Sequence, residues 1–186
     1  MDTDDAAWVV DTGPFAHLAR AEWLGVLKML APGGKVIVPD AVQRELRTGA
    51  EKYRSLGDVL KQDWISIRVL NSDAELESFA RYARRLVGDD GRNIGECEVL
   101  ALAEVHGFTP LIDDGAACKA AKQKGIEPLR TLRLLCNAVT QNLLTVDTVS
   151  AVADDLLATN YRIPVEPGGF RRWASENGLL VHPASV

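Results

Sequence analysis

Short runs of apolar residues alternate with longer stretches of helical periodicity along most of this chain. Four runs have the length of strands, at 7–11, 35–38, 64–69 and 109–112, and a fifth, shorter run lies at 127–130. They are continuously apolar, which is typical of parallel strands covered on both faces. This order of elements predicts an α/β fold of three layers, α/β/α, around a central, mainly parallel sheet of about four to five strands.

Helical patterns fill the segments between these runs. We expect helices at about 14–30 with a break near Arg20, 40–48, 51–61, 73–87, 94–106 and 115–124. The C-terminal third, 131–178, is also helical, with Thr131 as a candidate N-cap and helices expected at 131–141, 146–158 and 170–177. The 186 residues are enough to bury a core, so we expect one domain, 1–186, with a loose tail after about residue 178.

The composition narrows the class of protein. No run approaches the roughly 18 apolar residues that span a bilayer, and the acidic N-terminus is unlike a signal peptide. A cytoplasmic protein with no membrane partner is therefore expected. The net charge of −5 argues against broad affinity for nucleic acid, although it leaves room for a local basic patch or for a substrate held through metal ions.

The cysteines and histidines do not form a recognisable site. No CxxC pair or Cys/His cluster is present, so buried free thiols in helices are expected at Cys97, Cys118 and Cys136. Surface or satisfied core positions are expected for the histidines His17, His106 and His182, which are too scattered for a metal site or a catalytic triad.

Carboxylates follow three of the predicted strands. Asp11 ends the first run, Glu45 lies in the helix after the second, and Asp113 and Asp114 end the fourth. Because a parallel sheet gathers the carboxyl ends of its strands at one edge, we expect these side chains to converge there. Glu96 begins a long apolar helix and is expected nearest to the same cleft.

Each carboxylate also has a structural alternative. Asp11 could start a turn, and Asp114 could cap the helix that follows it. Glu45 could be a solvated helix residue, although at i+3 from Val42 it borders the buried face, where an unpaired carboxylate costs free energy. Glu96 stands three residues after Asn93, which is the spacing of a capping box.

The type of ligand suggests a hard cation. Buried carboxylates repel one another unless a cation lies among them, and oxygen ligands without His or Cys match Mg²⁺ or Mn²⁺. Such ions activate water and stabilise the leaving oxygen of a phosphodiester. Glu98 is a further candidate, but it points about 200° away from Glu96 around the helix, so we prefer Glu96.

Four short motifs surround these acids in a fixed order. They are Val9-Val10-Asp11-Thr12, Val38-Pro39 with Val42 and Glu45-Leu46, Gly95-Glu96 with Ala101 and Ala103, and Leu111-Ile112-Asp113-Asp114. In order and spacing they resemble the PIN-domain nucleases over about residues 7–165. The nearest likeness is to the small prokaryotic PIN proteins related to VapC-like toxin ribonucleases.

The resemblance implies a doubly wound α/β/α fold and an endoribonuclease that cleaves single-stranded RNA with Mg²⁺ or Mn²⁺. It maps the catalytic set onto Asp11, Glu45, Glu96, Asp113 and Asp114, with all but Glu45 as metal-ligand candidates. The toxins more often have Asp where Glu96 stands, and they have a Thr two residues before the last acid, so the choice between Asp113 and Asp114 stays open. The toxin likeness also implies an antitoxin protein as partner.

Basic residues suggest where RNA could lie. One group consists of Arg81, Arg84, Arg85 and Arg92, and a second of Lys119, Lys122, Lys124, Arg130 and Arg133. Either group could contact phosphates or simply form a solvated face. Thr12, Arg92 and Lys119 are the predicted RNA contacts. The tryptophans are expected to pack in the core at Trp8, Trp23, Trp64 and Trp173, and the helices 131–141 and 146–158 could form a homodimer surface or pack in the core.

Other functions compete with a ribonuclease. Asp11-Thr12-Gly13 matches the aspartic-protease motif, but such a site needs two aspartates that share a proton and normally lies in an all-β fold. A phosphatase-like acidic site for a small substrate is another possibility. The main alternative is a non-catalytic PIN-like module that binds RNA or a protein.

Overall fold

The computed structural model of the protein describes residues 7–88 and 91–180, and its centre is a parallel sheet. The four strands are β1 (Trp8–Val10), β2 (Val36–Pro39), β3 (Ile65–Arg68) and β4 (Thr109–Leu111). They are all parallel, in the order β3-β2-β1-β4. The predicted fifth strand at 127–130 is reduced to a single bridge, in which Leu129 pairs with Leu111 outside the named strands.

Ten α-helices surround the sheet in the described part of the chain. They are α1 (Thr12–Arg20), α2 (Leu24–Leu30), α3 (Asp40–Ala50), α4 (Ser55–Val59), α5 (Asp73–Leu86), α6 (Ile94–His106), α7 (Gly115–Gln123), α8 (Thr131–Thr140), α9 (Val146–Ala158) and α10 (Phe170–Glu176). The predicted break near Arg20 is confirmed, since the chain leaves α1 there and turns through Glu22 at φ 63°. The helix predicted at 51–61 is shorter than expected.

Strand β1 occupies the centre of the sheet between β2 and β4. Val9 and Val10 are both fully buried, and successive residues of a strand point to opposite faces. Both faces of the sheet are therefore covered, which confirms the three-layer α/β/α architecture. The edge strand β3 is less well covered, and its Ser66 is exposed.

Helix α6 is the most deeply buried helix that contacts the sheet. All residues from Cys97 to Ala103 are buried and all of them except Glu98 are apolar, which is typical of a helix packed on several sides. It ends at Gly107, whose φ of 71° suits glycine, and the chain then enters β4. Because α6 leads back to the start of a strand, its first turn lies at the carboxyl edge of the sheet.

A buried ion-pair cluster joins β3, α5 and α6 where α6 ends. Glu75 is fully buried and accepts hydrogen bonds from His106 Nε2 at 2.6 Å and from Arg68 Nη2 at 3.0 Å. Burial acts to raise the pKa of Glu75, but hydrogen bonds from the backbone of Asn71 and Ser72 and from His106 outweigh it and lower the pKa to about 2. His106 therefore has a hydrogen-bond partner, which agrees with the predicted role of a satisfied core histidine.

The C-terminal helices bury their apolar side chains in the core. Leu134 and Leu135 of α8 and Val152 and Leu156 of α9 have no exposed surface. Cys97, Cys118 and Cys136 are buried free thiols, which confirms that prediction, and burial raises the pKa of each.

The predicted tail begins inside the described part of the chain. Leu179 and Leu180 still pack against the core, whereas the rest of the tail, with His182, lies outside the described residues. Nothing in the described ranges tests whether residues 1–186 form one domain, so this stays a prediction. Among the helices of residues 7–88 and 91–180, none is long and apolar enough to cross a bilayer.

Candidate active site

Four of the five predicted acids come together at the carboxyl edge of the sheet. Asp11 follows β1 directly, Glu45 lies in α3 after β2, Glu96 is in the first turn of α6, and Asp114 follows β4. Burial raises the pKa of Asp11, and the charges of Glu96 and Glu45 raise it further. Burial also raises the pKa of Glu96, and the charges of Glu45 and Asp114 raise it further. The four carboxylates thus repel one another across a shared space.

Asp11 lies deepest in this cluster, with only 5% of its surface exposed. Its Oδ2 accepts a hydrogen bond from the Gly13 N–H at 3.4 Å, so Asp11 also caps α1. Its Oδ1 is buried and has no hydrogen-bond partner among the described residues. A buried carboxylate oxygen without a donor is costly unless a proton or a cation reaches it.

Glu45 is exposed, as its solvated-helix alternative expects, but its carboxylate lies beside the buried Gly95 and so still borders the buried face. The Thr12 hydroxyl donates a hydrogen bond to Glu45 Oε2, so α1 and α3 together orient this carboxylate. Gly95 of α6 lies very close to it, since a Cβ added there would be 3.0 Å from Glu45 Oε1 and 3.2 Å from Val42 Cγ2. The glycine therefore allows α6 to approach α3 beside the acids.

The capping alternative for Glu96 does not form. Asn93 occupies the N-cap position of α6 at φ 70°, but its side chain makes no cap hydrogen bond and instead donates to the carbonyl of Leu86 at 2.8 Å. Glu98 accepts a hydrogen bond from the Ala41 N–H at 2.9 Å and has Asp40 and Arg44 as charged neighbours. Glu98 is therefore occupied at the start of α3, outside the acidic cluster.

Asp113 and Asp114 have different surroundings. The carboxylate of Asp113 accepts hydrogen bonds from the Thr131 N–H at 3.1 Å, from the Thr131 hydroxyl at 2.5 Å and from the Tyr161 hydroxyl. Arg130 Nε lies 3.5 Å from its Oδ1. Asp114 caps α7 through the Ala117 N–H at 2.8 Å, as the alternative predicted, and its charge also acts on Glu96.

Sequence reasoning missed Thr131 and Tyr161 as members of the site. Thr131 was expected to cap α8, and that expectation is wrong: the N-cap is Arg130 with no side-chain bond, because the hydroxyl of Thr131 is engaged by Asp113. Tyr161 comes after α9 and stacks on His17 with ring centroids 4.2 Å apart. The only sequence signal was the break in helical pattern at Tyr161.

The residues predicted to touch RNA lie at different distances from the acids. Thr12 contacts Glu45 directly, and Arg92 lies in the exposed turn before α6. Lys119 is exposed on α7. Elsewhere in the two basic groups, Arg81 pairs with Glu104 at 3.1 Å and Lys122 pairs with Glu127 at 3.2 Å.

The geometry of the acidic cluster argues against a preformed metal site, whereas its electrostatics favour a cation. Within residues 7–88 and 91–180, no three His, Cys, Asp or Glu side chains are arranged to hold a metal ion as they stand. The unpartnered Oδ1 of Asp11 and the mutual repulsion of the acids nevertheless suit a hard cation, because it would supply the missing positive charge. Asp11, Glu96 and Asp114 are the residues that could bind it.

The chain thus combines a parallel α/β fold with acids gathered at the carboxyl edge of its sheet. A protein-family model described as a PIN domain matches residues 7–167, so the chain belongs to the PIN-domain family. PIN domains are in general nucleases, and PIN nucleases in general use divalent metal ions. No curated protein and no solved structure matches the chain significantly.

Proposed function

We propose that the protein is a metal-dependent endoribonuclease that hydrolyses phosphodiester bonds of single-stranded RNA, with Mg²⁺ or Mn²⁺ held by Asp11, Glu96 and Asp114. The observation that carries this proposal is the buried, unpartnered Oδ1 of Asp11 among carboxylates that raise its pKa. A divalent ion bound there would neutralise charge at the scissile phosphate and make water a better nucleophile.

The remaining polar residues orient the site in this proposal. Thr12 holds Glu45, whose exposed carboxylate can accept a proton from an attacking water. Asp113, expected from the sequence as a possible ligand, serves instead to fix the loop after β4 through Thr131 and Tyr161. Its oxygens already have donors, whereas an oxygen of Asp11 has none.

Several finer roles that the sequence suggests stay predictions. They are the role of toxin in a toxin–antitoxin pair, an antitoxin partner, a homodimer and a cytoplasmic location. The apolar residues of α8 and α9 pack into the core, so a dimer would need other surfaces or the exposed sides of these helices.

The proposal is tested with a labelled single-stranded RNA and purified protein. We expect cleavage with Mg²⁺ or Mn²⁺ that stops with EDTA and falls at least a hundredfold in Asp11→Asn. The control is Asp58→Asn, which neutralises an exposed aspartate of α4 that pairs only with Lys61 among the described residues. RNA binding without turnover in any divalent metal would contradict the proposal and favour the non-catalytic module.

A further inference from the structure

A cavity of about 200 Å³ opens beside Asp113. The segment before α8, the segment after α9 and helix α10 enclose it, so it belongs to the C-terminal third of the chain. Its lining includes Arg130, Arg133, Arg162 and Trp173. Asp113 lines this cavity, and its neighbour in sequence, Asp114, acts on Glu96 of the acidic cluster, so the cavity and the cluster are adjacent along this loop.

The cavity carries positive charge that its own acids do not cancel. Arg130 is paired with Asp113, through its carbonyl at 2.8 Å and its carboxylate at 3.5 Å. Glu127, the other acid of the lining, pairs with Lys122 at 3.2 Å. Arg133 and Arg162 are exposed and form no hydrogen bond or ion pair with the described residues.

The rest of the wall is largely apolar. Trp173 is half-buried, and its ring lies 6.3 Å from that of Phe170, a fully buried residue that holds it in place. Ile163 and Pro164 complete this side. Two unpaired guanidinium groups next to an aromatic face match the two parts of a nucleotide, since phosphate binds arginine and an unstacked base stacks on an aromatic ring.

We infer that this cavity binds one unpaired nucleotide of the RNA strand, next to the bond that the acidic cluster cleaves. The base stacks on Trp173, and Arg133 and Arg162 bind the adjoining phosphates. The inference rests on the proposed ribonuclease function for the identity of the strand. A volume of about 200 Å³ is on the scale of a single base, which fits an unpaired strand.

The test measures RNA binding in EDTA, where no cleavage competes, by the fluorescence anisotropy of a labelled single-stranded oligoribonucleotide. Arg162→Gln should weaken binding about fivefold and make the salt dependence shallower by about 0.7 in log K against log [salt], because one phosphate contact is lost. Trp173→Leu keeps an apolar side chain and should weaken binding about tenfold without changing that slope.

The matched control is Arg171→Gln. Arg171 lies on the same helix α10, but it is exposed and pairs with Asp147 at 2.7 Å. It should bind RNA as the wild type does. If Arg162→Gln and Trp173→Leu also bind like the wild type, or if an acidic peptide competes with the affinity of the RNA, the inference is wrong.

A crosslink locates the base directly. An oligoribonucleotide with 4-thiouridine should attach on irradiation to the tryptic peptide that begins at Trp173, after Arg172. The two proposals fail separately. RNA bound through this cavity without cleavage in any divalent metal would contradict the nuclease alone, whereas cleavage with unchanged binding in the cavity variants would contradict the cavity alone.

Discussion

At the scale of single residues, Asp11 shows how the proposed site and the stability of the fold oppose each other. One oxygen caps α1 and the other is buried without a partner, while Glu96 and Glu45 raise its pKa through their charges. An ionised group in this position costs free energy in the absence of a cation. Proteins retain such a group where function requires it.

Asp11→Asn should therefore stabilise the protein in EDTA while it removes RNA cleavage. The amide keeps an oxygen for the Gly13 N–H and removes the charge that Glu96 and Glu45 repel, so we expect a gain on the order of 1 kcal/mol in the free energy of unfolding. Thermal unfolding followed by circular dichroism measures it. A lower melting temperature than that of Asp58→Asn would mean that the Asp11 charge is already compensated.

Some of the single-residue positions in the site could be predicted from the sequence and others could not. The convergence of Asp11, Glu45 and Glu96 at one edge could be predicted from the alternation of strands and helices along the chain. The difference between Asp113 and Asp114 could not, because it depends on Tyr161, 48 residues away from Asp113 in sequence. A pattern of local apolar residues contains no information about such a contact.

At the scale of elements, the approach of α3 to α6 depends on Gly95. A methyl group there would meet Glu45 Oε1 at 3.0 Å and Val42 Cγ2 at 3.2 Å. Gly95→Ala should lower RNA cleavage about tenfold by displacing Glu45. Stability should change by less than about 1 kcal/mol, because the gain in helix propensity offsets the crowding.

Gly25→Ala is the control for this substitution. Gly25 also lies within a helix, α2, but a Cβ there would have no heavy atom within 4 Å. It should gain stability by up to about 1 kcal/mol and leave RNA cleavage unchanged. Full activity in Gly95→Ala would show that the position of Glu45 is not critical.

The cluster of Glu75, His106 and Arg68 should make stability depend on pH in acid. The folded-state pKa of Glu75, about 2, lies below its ordinary value of 4.5, so the unfolded chain takes up the proton first as pH falls. Its contribution is complete above about pH 4.5 and is lost between 4.5 and about 2, and it is on the order of 2 kcal/mol. Chemical unfolding of wild type and Glu75→Gln measures this.

The two proteins should differ most at neutral pH, and the difference should shrink as pH falls through that window. The exposed Glu176 gives a matched control, Glu176→Gln, whose stability should follow that of the wild type throughout. A difference between Glu75→Gln and wild type that stays constant from neutral pH to pH 2 would contradict the low pKa of Glu75.

Element boundaries were largely predictable because they depend on local signals. Helix α6 was predicted at the residues it occupies, 94–106, since its apolar run ends at a glycine. The extent of the fifth strand could not be predicted, because pairing of 127–130 with β4 depends on how the chain returns to the sheet. Of these residues, Leu129 alone forms a bridge, to Leu111.

At the scale of the whole molecule, divalent metal should stabilise the native state by mass action. An ion that binds the folded acids at a hundredfold excess over its Kd adds about 2.7 kcal/mol. For a chain of this size that is a rise of roughly 5–10 °C in Tm. The rise should be absent in Asp11→Asn, weaker in Glu45→Gln and complete in Asp58→Asn, as measured by thermal unfolding with millimolar Mn²⁺.

An unchanged melting temperature of the wild type in Mn²⁺ would contradict a shared metal site.

The global fold class and the gathering of the acids could be predicted from the sequence, since both follow from the order of strands and helices. The cavity at Trp173 could not, because three separate C-terminal segments enclose it.

The central position of β1 has a consequence for the order in which the protein is made. The ribosome delivers β1 first, yet one of its two neighbours, β4, arrives about 100 residues later, and Tyr161 about 50 residues after that. A nascent or truncated chain therefore carries Asp11 without Asp114 and without the support of Asp113. In the proposed assignment, the acidic cluster and its support are therefore complete only once the chain has been synthesised as far as Tyr161.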